Sequence, residues 1–387
     1  MMRFILKYST SAGKHMLTVA SPAKDGQRRI LSIQVLRGLA ALSVVLSHAY
    51  VRAELSYPEL FEGEGQLLSQ MLTKLGHSGV DLFFIISGFV MVSVHGDDFR
   101  RKGAFRTFMA KRLTRIVPIY WMLTTLALTI LIARPSMFHY SRELDWAWIA
   151  ASYSFIPWES ANGLRLPLLS LGWTLNYEMY FYLIFSALLF LPKIFFLPLL
   201  GTYFVASIFL VGHFASDTSP FVEMVTSWLL LEFYAGCVIG FLWRKGIVMP
   251  SAVGRVFLCV FLVLMLVSLM YVEGGEIETH LRVTFWGSAF TFLLAAFTLT
   301  KLTFLSRPFP VLVYLGDASY SIYLVQVLAL PAGALILAWA EVPETLTLIV
   351  GLLFLFSVCC GWGFFILFER PSTRFLKSLA VRKHERS

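Results

Sequence analysis

Charge is what this chain has little of: Asp, Glu, Lys and Arg make up 14% of its 387 residues, and long stretches hold none. Cysteine is scarce too. Cys237, Cys259, Cys359 and Cys360 all fall inside apolar runs, so neither a disulfide framework nor a metal site is indicated. No polar stretch is long enough for a soluble domain, and no internal repeat is evident. The first 30 residues are polar and basic, with Phe4-Ile5-Leu6 as their apolar cluster. That is too short for the apolar core of a signal peptide, so none is expected. The net charge of +9 does not imply a nucleic-acid partner. Such a partner needs basic residues grouped on one face of a soluble domain, and no domain of that kind exists.

What the chain does have is hydrophobicity, 58% by residue with 16% aromatic, at a mean hydropathy of +0.73. The excess recurs in blocks of about 17–23 residues, the length of a bilayer-spanning helix. Ten such blocks are read, at roughly 33–51, 79–95, 116–133, 173–191, 194–212, 223–243, 256–272, 283–300, 311–331 and 346–368. Pro331 and Gly333 interrupt the ninth. The Pro192-Lys193 turn makes the fourth and fifth an antiparallel hairpin. The fold class expected is an all-α membrane protein of about ten transmembrane helices. Residues 1–31 read as a disordered basic tail, 32–370 as the membrane domain and 371–387 as a second basic tail. The loop at about 134–172, with Trp146, Trp148, Trp158 and three prolines, reads as an interfacial segment.

Loop charges set the orientation. The tails and the loops after even-numbered spans hold 25 of the 32 basic residues, the opposite loops six, and Arg37 lies inside a span. The positive-inside rule therefore places both termini in the cytoplasm.

Against this apolar background a few ionisable residues stand out, because a charge within a span is costly and marks function by default. Arg37 and His48 both lie in the first span. Eleven residues at about 100° each bring them to within about 20° of one helix face, and about 16 Å apart along the axis. Asp81, near the outer end of span 2, and Glu178, in span 4, come to the depth of His48. A neutral histidine is oriented as a general base by a carboxylate, so His48 with Asp81 or Glu178 is a candidate catalytic set. At the cytoplasmic end Arg112 and Arg115 are i,i+3 neighbours at the depth of Arg37. Their planar forks suit phosphate oxyanions, although juxtamembrane arginines are also ordinary topology signals. Glu232 and Asp317 read as structural. His77, His213 and His280 read as loop residues without a special role.

Six segments together resemble one family. They are Ser32-Ile33-Gln34-Val35-Leu36-Arg37 with His48, Gly79-Val80-Asp81-Leu82-Phe83-Phe84, Arg112-Leu113-Thr114-Arg115, Trp173-Thr174-Leu175-Asn176-Tyr177-Glu178, Leu315-Gly316-Asp317-Ala318-Ser319-Tyr320 and Glu369-Arg370-Pro371. In this order they resemble the acyltransferase-3 family of integral-membrane acyltransferases, over nearly the whole chain after residue 30. The Ser-Ile-Gln opening is most similar to members that acetylate exopolysaccharides. The resemblance implies transfer of an acyl group, usually acetyl, from cytoplasmic acetyl-CoA to a sugar hydroxyl at the outer face. It places the essential histidine at His48, its partner arginine at Arg37, and CoA-phosphate contacts at Arg112 and Arg115. One departure is Gln326, where many members carry a histidine.

The expected activity is thus O-acyl transfer in the bacterial inner membrane to an exported polysaccharide or lipid-linked sugar. Acetyl-CoA is the co-substrate, with succinyl-CoA as a rival donor. No permanently bound cofactor or metal is expected. His48 acts either as a base or as a transiently acetylated nucleophile. A glycolipid transporter or flippase using the same buried charges is the alternative of a different class.

Overall fold

A computed structural model describes residues 22–61, 64–134, 145–214, 219–270, 278–302, 310–342 and 345–376. Among them there is no β-strand, only an isolated parallel bridge between Met249 and Thr300. The helices are, in chain order, α1 (Pro22–Ser56), α2 (Glu64–His77), α3 (Gly79–His95), α4 (Ala104–Ala133), α5 (Trp146–Tyr153), α6 (Trp173–Leu188), α7 (Lys193–Ala206), the single turn α8 (Gly212–Phe214), α9 (Pro220–Val225), α10 (Leu230–Arg244), α11 (Ser251–Met270), α12 (Thr279–Arg282), α13 (Ser288–Leu299), α14 (Pro310–Asp317), α15 (Ser319–Trp339) and α16 (Leu346–Phe364). Single π-turns join α7 to α8 (Ser207–Val211) and α12 to α13 (Val283–Gly287), and a third extends α16 (Phe365–Glu369).

Merged across such joints, nine stretches of the described chain are long and apolar enough to cross a membrane. They match nine of the ten expected blocks. The tenth, α6, is a helix of 16 residues preceded by a 3-10 turn at Ser170–Gly172. Its Phe181 and Phe185 are fully buried, so it serves the interior of the bundle. The boundaries also differ from expectation. α1 begins at Pro22, well before residue 32, while 1–21 and 377–387 of the expected tails lie outside the described residues. Pro331 stays inside α15. The break in that region falls instead at Ala318, between α14 and α15.

Close approach of backbones, rather than apolar attraction, holds helices together in lipid, and small residues permit it. On α3 and α10 a Cβ at Gly88 would lie 2.0 Å from Phe233 O, and one at Gly236 2.0 Å from Ile85 O. α1 meets α14 in the same way: a Cβ at Gly316 would lie 2.0 Å from Gln34 O, and one at Gly38 2.8 Å from Leu312 O. That second crossing brings the first residue of α15 beside Arg37.

Candidate active site

Arg37 is half-buried. Its Nη2 donates to Ser319 Oγ at 2.9 Å and its Nη1 to Gln34 Oε1 at 3.4 Å. From α4, Arg112 and Arg115 turn toward the same space, a cavity of about 110 Å³ that all three arginines line. Glu178 lines it as well, accepting from Ser87 Oγ at 3.3 Å and from the Tyr182 hydroxyl. Among the described residues none of these three guanidinium groups forms an ion pair. Three guanidinium groups thus face the cavity beside one carboxylate, Glu178, an excess of positive charge of the kind that suits an oxyanion.

His48 lines a second cavity, of about 300 Å³, together with Arg52, Trp148, Leu171 and Gln326. Its Nδ1 donates to Val44 O at 2.8 Å. A carbonyl only accepts, so in the neutral ring the proton sits on Nδ1 and Nε2 keeps its lone pair. The ring stands edge-to-face against His77, centroids 5.2 Å apart at 69°. His77 is the last residue of α2, not a loop residue. α2 is docked by Ser47 Oγ, which donates to Thr73 O at 2.8 Å, and by Gly76, where a Cβ would lie 2.4 Å from Ser47 Cβ.

Neither expected carboxylate is bonded to His48 among the described residues. Asp81 is fully buried and clasped by Arg282, with Nε 3.0 Å from Oδ1 and Nη2 2.8 Å from Oδ2. Glu178 belongs to the arginine cavity. A main-chain carbonyl on α1 itself takes the orienting place that the sequence reading gave to a side chain. Glu232, 1% exposed, lies against Gly287, where a Cβ would be 2.8 Å from its Oε1.

One helical turn separates the cavities. Thr174 and Tyr323 line the first, and Leu171 and Gln326, three residues along α6's leading turn and α15, line the second. Thr174 Oγ1 and Tyr323 OH share a hydrogen bond of 3.1 Å between them. Gln326 Nε2 donates to Tyr323 O at 2.9 Å. The loop before α6 covers the His48 cavity. On α5, Trp148 is buried and its Nε1 donates to Leu166 O of that loop at 2.9 Å, while Trp121 on α4 reaches Tyr153 O at 2.9 Å. Among the described residues no group of three or more His, Cys, Asp or Glu is placed to hold a metal ion.

A family model described as an acyltransferase domain matches residues 30–367. The chain belongs to the acyltransferase-3 family. It is 32% identical over 306 residues to the exopolysaccharide production protein ExoZ of Rhizobium meliloti, covering 78% of this chain and 90% of ExoZ. It is 24% identical over 277 residues to the O-acetyltransferase OatA of Staphylococcus aureus, covering 64% of this chain and 45% of OatA. The peptidoglycan O-acetyltransferase OatA of Listeria monocytogenes is 23% identical over 240 residues, 56% of this chain and 34% of that protein. No solved structure matches. As an acyltransferase-3 protein with nine apolar membrane-length helices among its described residues, the chain is a multi-pass membrane O-acyltransferase. Both cavities are lined from α1, the first by Arg37 and the second by His48.

Proposed function

We propose that the protein moves an acyl group, most simply acetyl, from cytoplasmic acyl-CoA to a hydroxyl of an exported or cell-surface polysaccharide or its lipid-linked precursor. The observation that carries this reading is the cavity lined by Arg37, Arg112 and Arg115, none of them in an ion pair among the described residues, with Arg37 on the same helix as the base His48. A coenzyme A ester brings phosphates to such a site. The loop-charge asymmetry supports a cytoplasmic Arg37 end, an external His48 end and residence in a bacterial inner membrane.

His48 Nε2 takes the proton of the acceptor hydroxyl as that oxygen attacks the thioester carbonyl carbon. The carbon–sulfur bond breaks, the ester forms, and the thiolate leaves as the thiol with the proton returned by the imidazolium. Val44 O holds the ring through both steps. For the thioester to meet His48, the Thr174–Tyr323 pair must part. ExoZ is named for exopolysaccharide production, and that name supports a polysaccharide acceptor here.

The test is release of CoA thiol from acetyl-CoA by detergent-purified protein with a mixed surface-glycan extract, wild type beside His48→Ala. Turnover that is lost in the variant, with acetyl recovered as base-labile ester on the glycan, is the expected result. Equal turnover in both would remove His48 from the mechanism. Turnover in neither, with a folded protein and a full range of glycans, would overturn the donor assignment.

A further inference from the structure

Behind Arg112 stands a second pair of residues that the reaction above does not use. His95, the last residue of α3, is 1% exposed. Its Nε2 lies 3.0 Å from Arg112 Nη2, and its Nδ1 lies 2.7 Å from Asp98 Oδ2. A guanidinium only donates, so Nε2 must offer its lone pair. The ring proton is then on Nδ1 and goes to Asp98. The two hydrogen bonds together admit one form of His95, the neutral ring protonated at Nδ1. A doubly protonated ring would turn an N–H against the arginine's own N–H.

Aromatic rings flank the Arg112 side chain. Its guanidinium stands 5.6 Å from the Phe108 ring centroid and 5.8 Å from that of Tyr182. Phe108 in turn meets the His95 ring at 4.9 Å and 75°. Among the described residues no comparable hydrogen bond holds Arg115. A fork fixed in plane and position loses little freedom when an oxyanion arrives.

We propose that His95 and Asp98 are positioning residues for the acyl donor: they hold Arg112 ready for a phosphate of the coenzyme, and the hold is lost when His95 takes up a proton. This rests on the donor reading of the arginine cavity. The charged and titratable groups facing His95 are Asp98 from its own turn, with Arg101 at 3.5 Å behind it, Arg112 and Lys111 from α4, and, through Arg112, Tyr182 from α6. Neutral His95 accepts from Arg112 above its titration range. As pH falls through that range, the acceptor disappears and a second positive charge is set against the guanidinium.

The experiment is equilibrium binding of acetyl-CoA to the purified full chain across pH 5.5–8, beside kcat and the thermal midpoint. Wild-type affinity is expected to fall toward the acid end of that range, where a proton is forced onto His95 against the Arg112 guanidinium. His95→Leu is expected to bind about tenfold more weakly at every pH, with kcat at saturating donor little changed. His95→Gln keeps an acceptor oxygen that does not titrate, so it is expected to bind near wild type with a flat pH profile. A His95→Gln protein as weak as His95→Leu at an unchanged midpoint would overturn the proposal, as would a His95→Leu protein that binds like wild type. Arg112→Ala separates the two readings. If it binds like wild type, the arginine cavity is not the donor site. If it binds weakly while His95→Leu does not, the donor site stands and the positioning role falls.

Discussion

Asp81 and Arg282 stand 201 positions apart in the chain, yet Asp81 has no exposed surface and Arg282 is only 17% exposed where they meet. Removing one partner of such a buried pair leaves an uncompensated charge and costs about 3–5 kcal/mol. Asp81→Asn is therefore expected to lower the thermal midpoint in detergent, while the protein that stays folded keeps most of its kcat. His77→Ala should behave the other way. An edge-to-face ring contact is worth about 0.5–1.5 kcal/mol, so kcat should fall by up to about tenfold with the midpoint nearly unchanged. A stable Asp81→Asn protein without turnover would return that carboxylate to His48. These assignments separate what the sequence could reveal from what it could not. The shared face of Arg37 and His48 was legible because helical periodicity is local. The three arginines of one cavity were legible from their depth in the membrane. Asp81 was assigned by depth as well, and depth says nothing about which neighbour at that level is nearer. The partner of His48 escaped notice because Val44 O is main chain, present in every sequence.

Among the elements, α5 and the loop after it illustrate the same limit at larger scale. Three tryptophans suggested an interfacial segment, and Trp146 and Trp158 are indeed exposed, at 68% and 46%. Trp148 instead turns inward and roofs the His48 cavity. The cap is tied at Asp145, whose carboxylate accepts from Ala147 N, Trp148 N and Ala161 N. These donors, that of Trp148 first, hold the Asp145 carboxyl below the usual carboxylate range. The tie is thus complete above about pH 4 and is lost as pH falls through the lowered value. Asp145→Ala should be cut several-fold faster by chymotrypsin between Phe155 and Leu166 at neutral pH, with wild type approaching it only in acid. Equal cleavage rates would show that the cap is held from elsewhere. The α14–α15 joint was misplaced for a related reason. Proline is tolerated inside membrane helices, so Pro331 breaks nothing, whereas Gly316 seated on Gln34 O sets the crossing beside the break at Ala318, a feature of packing rather than of local sequence.

At the scale of the whole molecule, ten blocks of hydropathy predicted a bundle, and among the described residues nine helices of membrane length with the shorter α6 inside them make one. Hydropathy reports length and apolarity. It cannot report that two cavities of about 110 and 300 Å³ enter the bundle and stop one turn short of each other. The wall between them is the Thr174–Tyr323 contact, with Phe83 edge-to-face on Tyr323 at 5.9 Å. Tyr323→Ala should join the cavities. Proteoliposomes carrying this variant are expected to lose an imposed proton gradient measurably faster than those carrying wild type, read with an internal pH dye. Equal tightness would place the barrier elsewhere.

In an energised membrane that wall is an insulator. Water in both cavities would bring each bulk potential up to its own side, so the voltage would drop across a layer only a few side chains thick. Each elementary charge leaking through would release about 2.3 kcal/mol per 100 mV. An uncharged acyl group can pass such a layer without doing electrical work, and a hydrated proton cannot. A few side chains around the Thr174–Tyr323 pair would thus stand between a transferase and a short circuit.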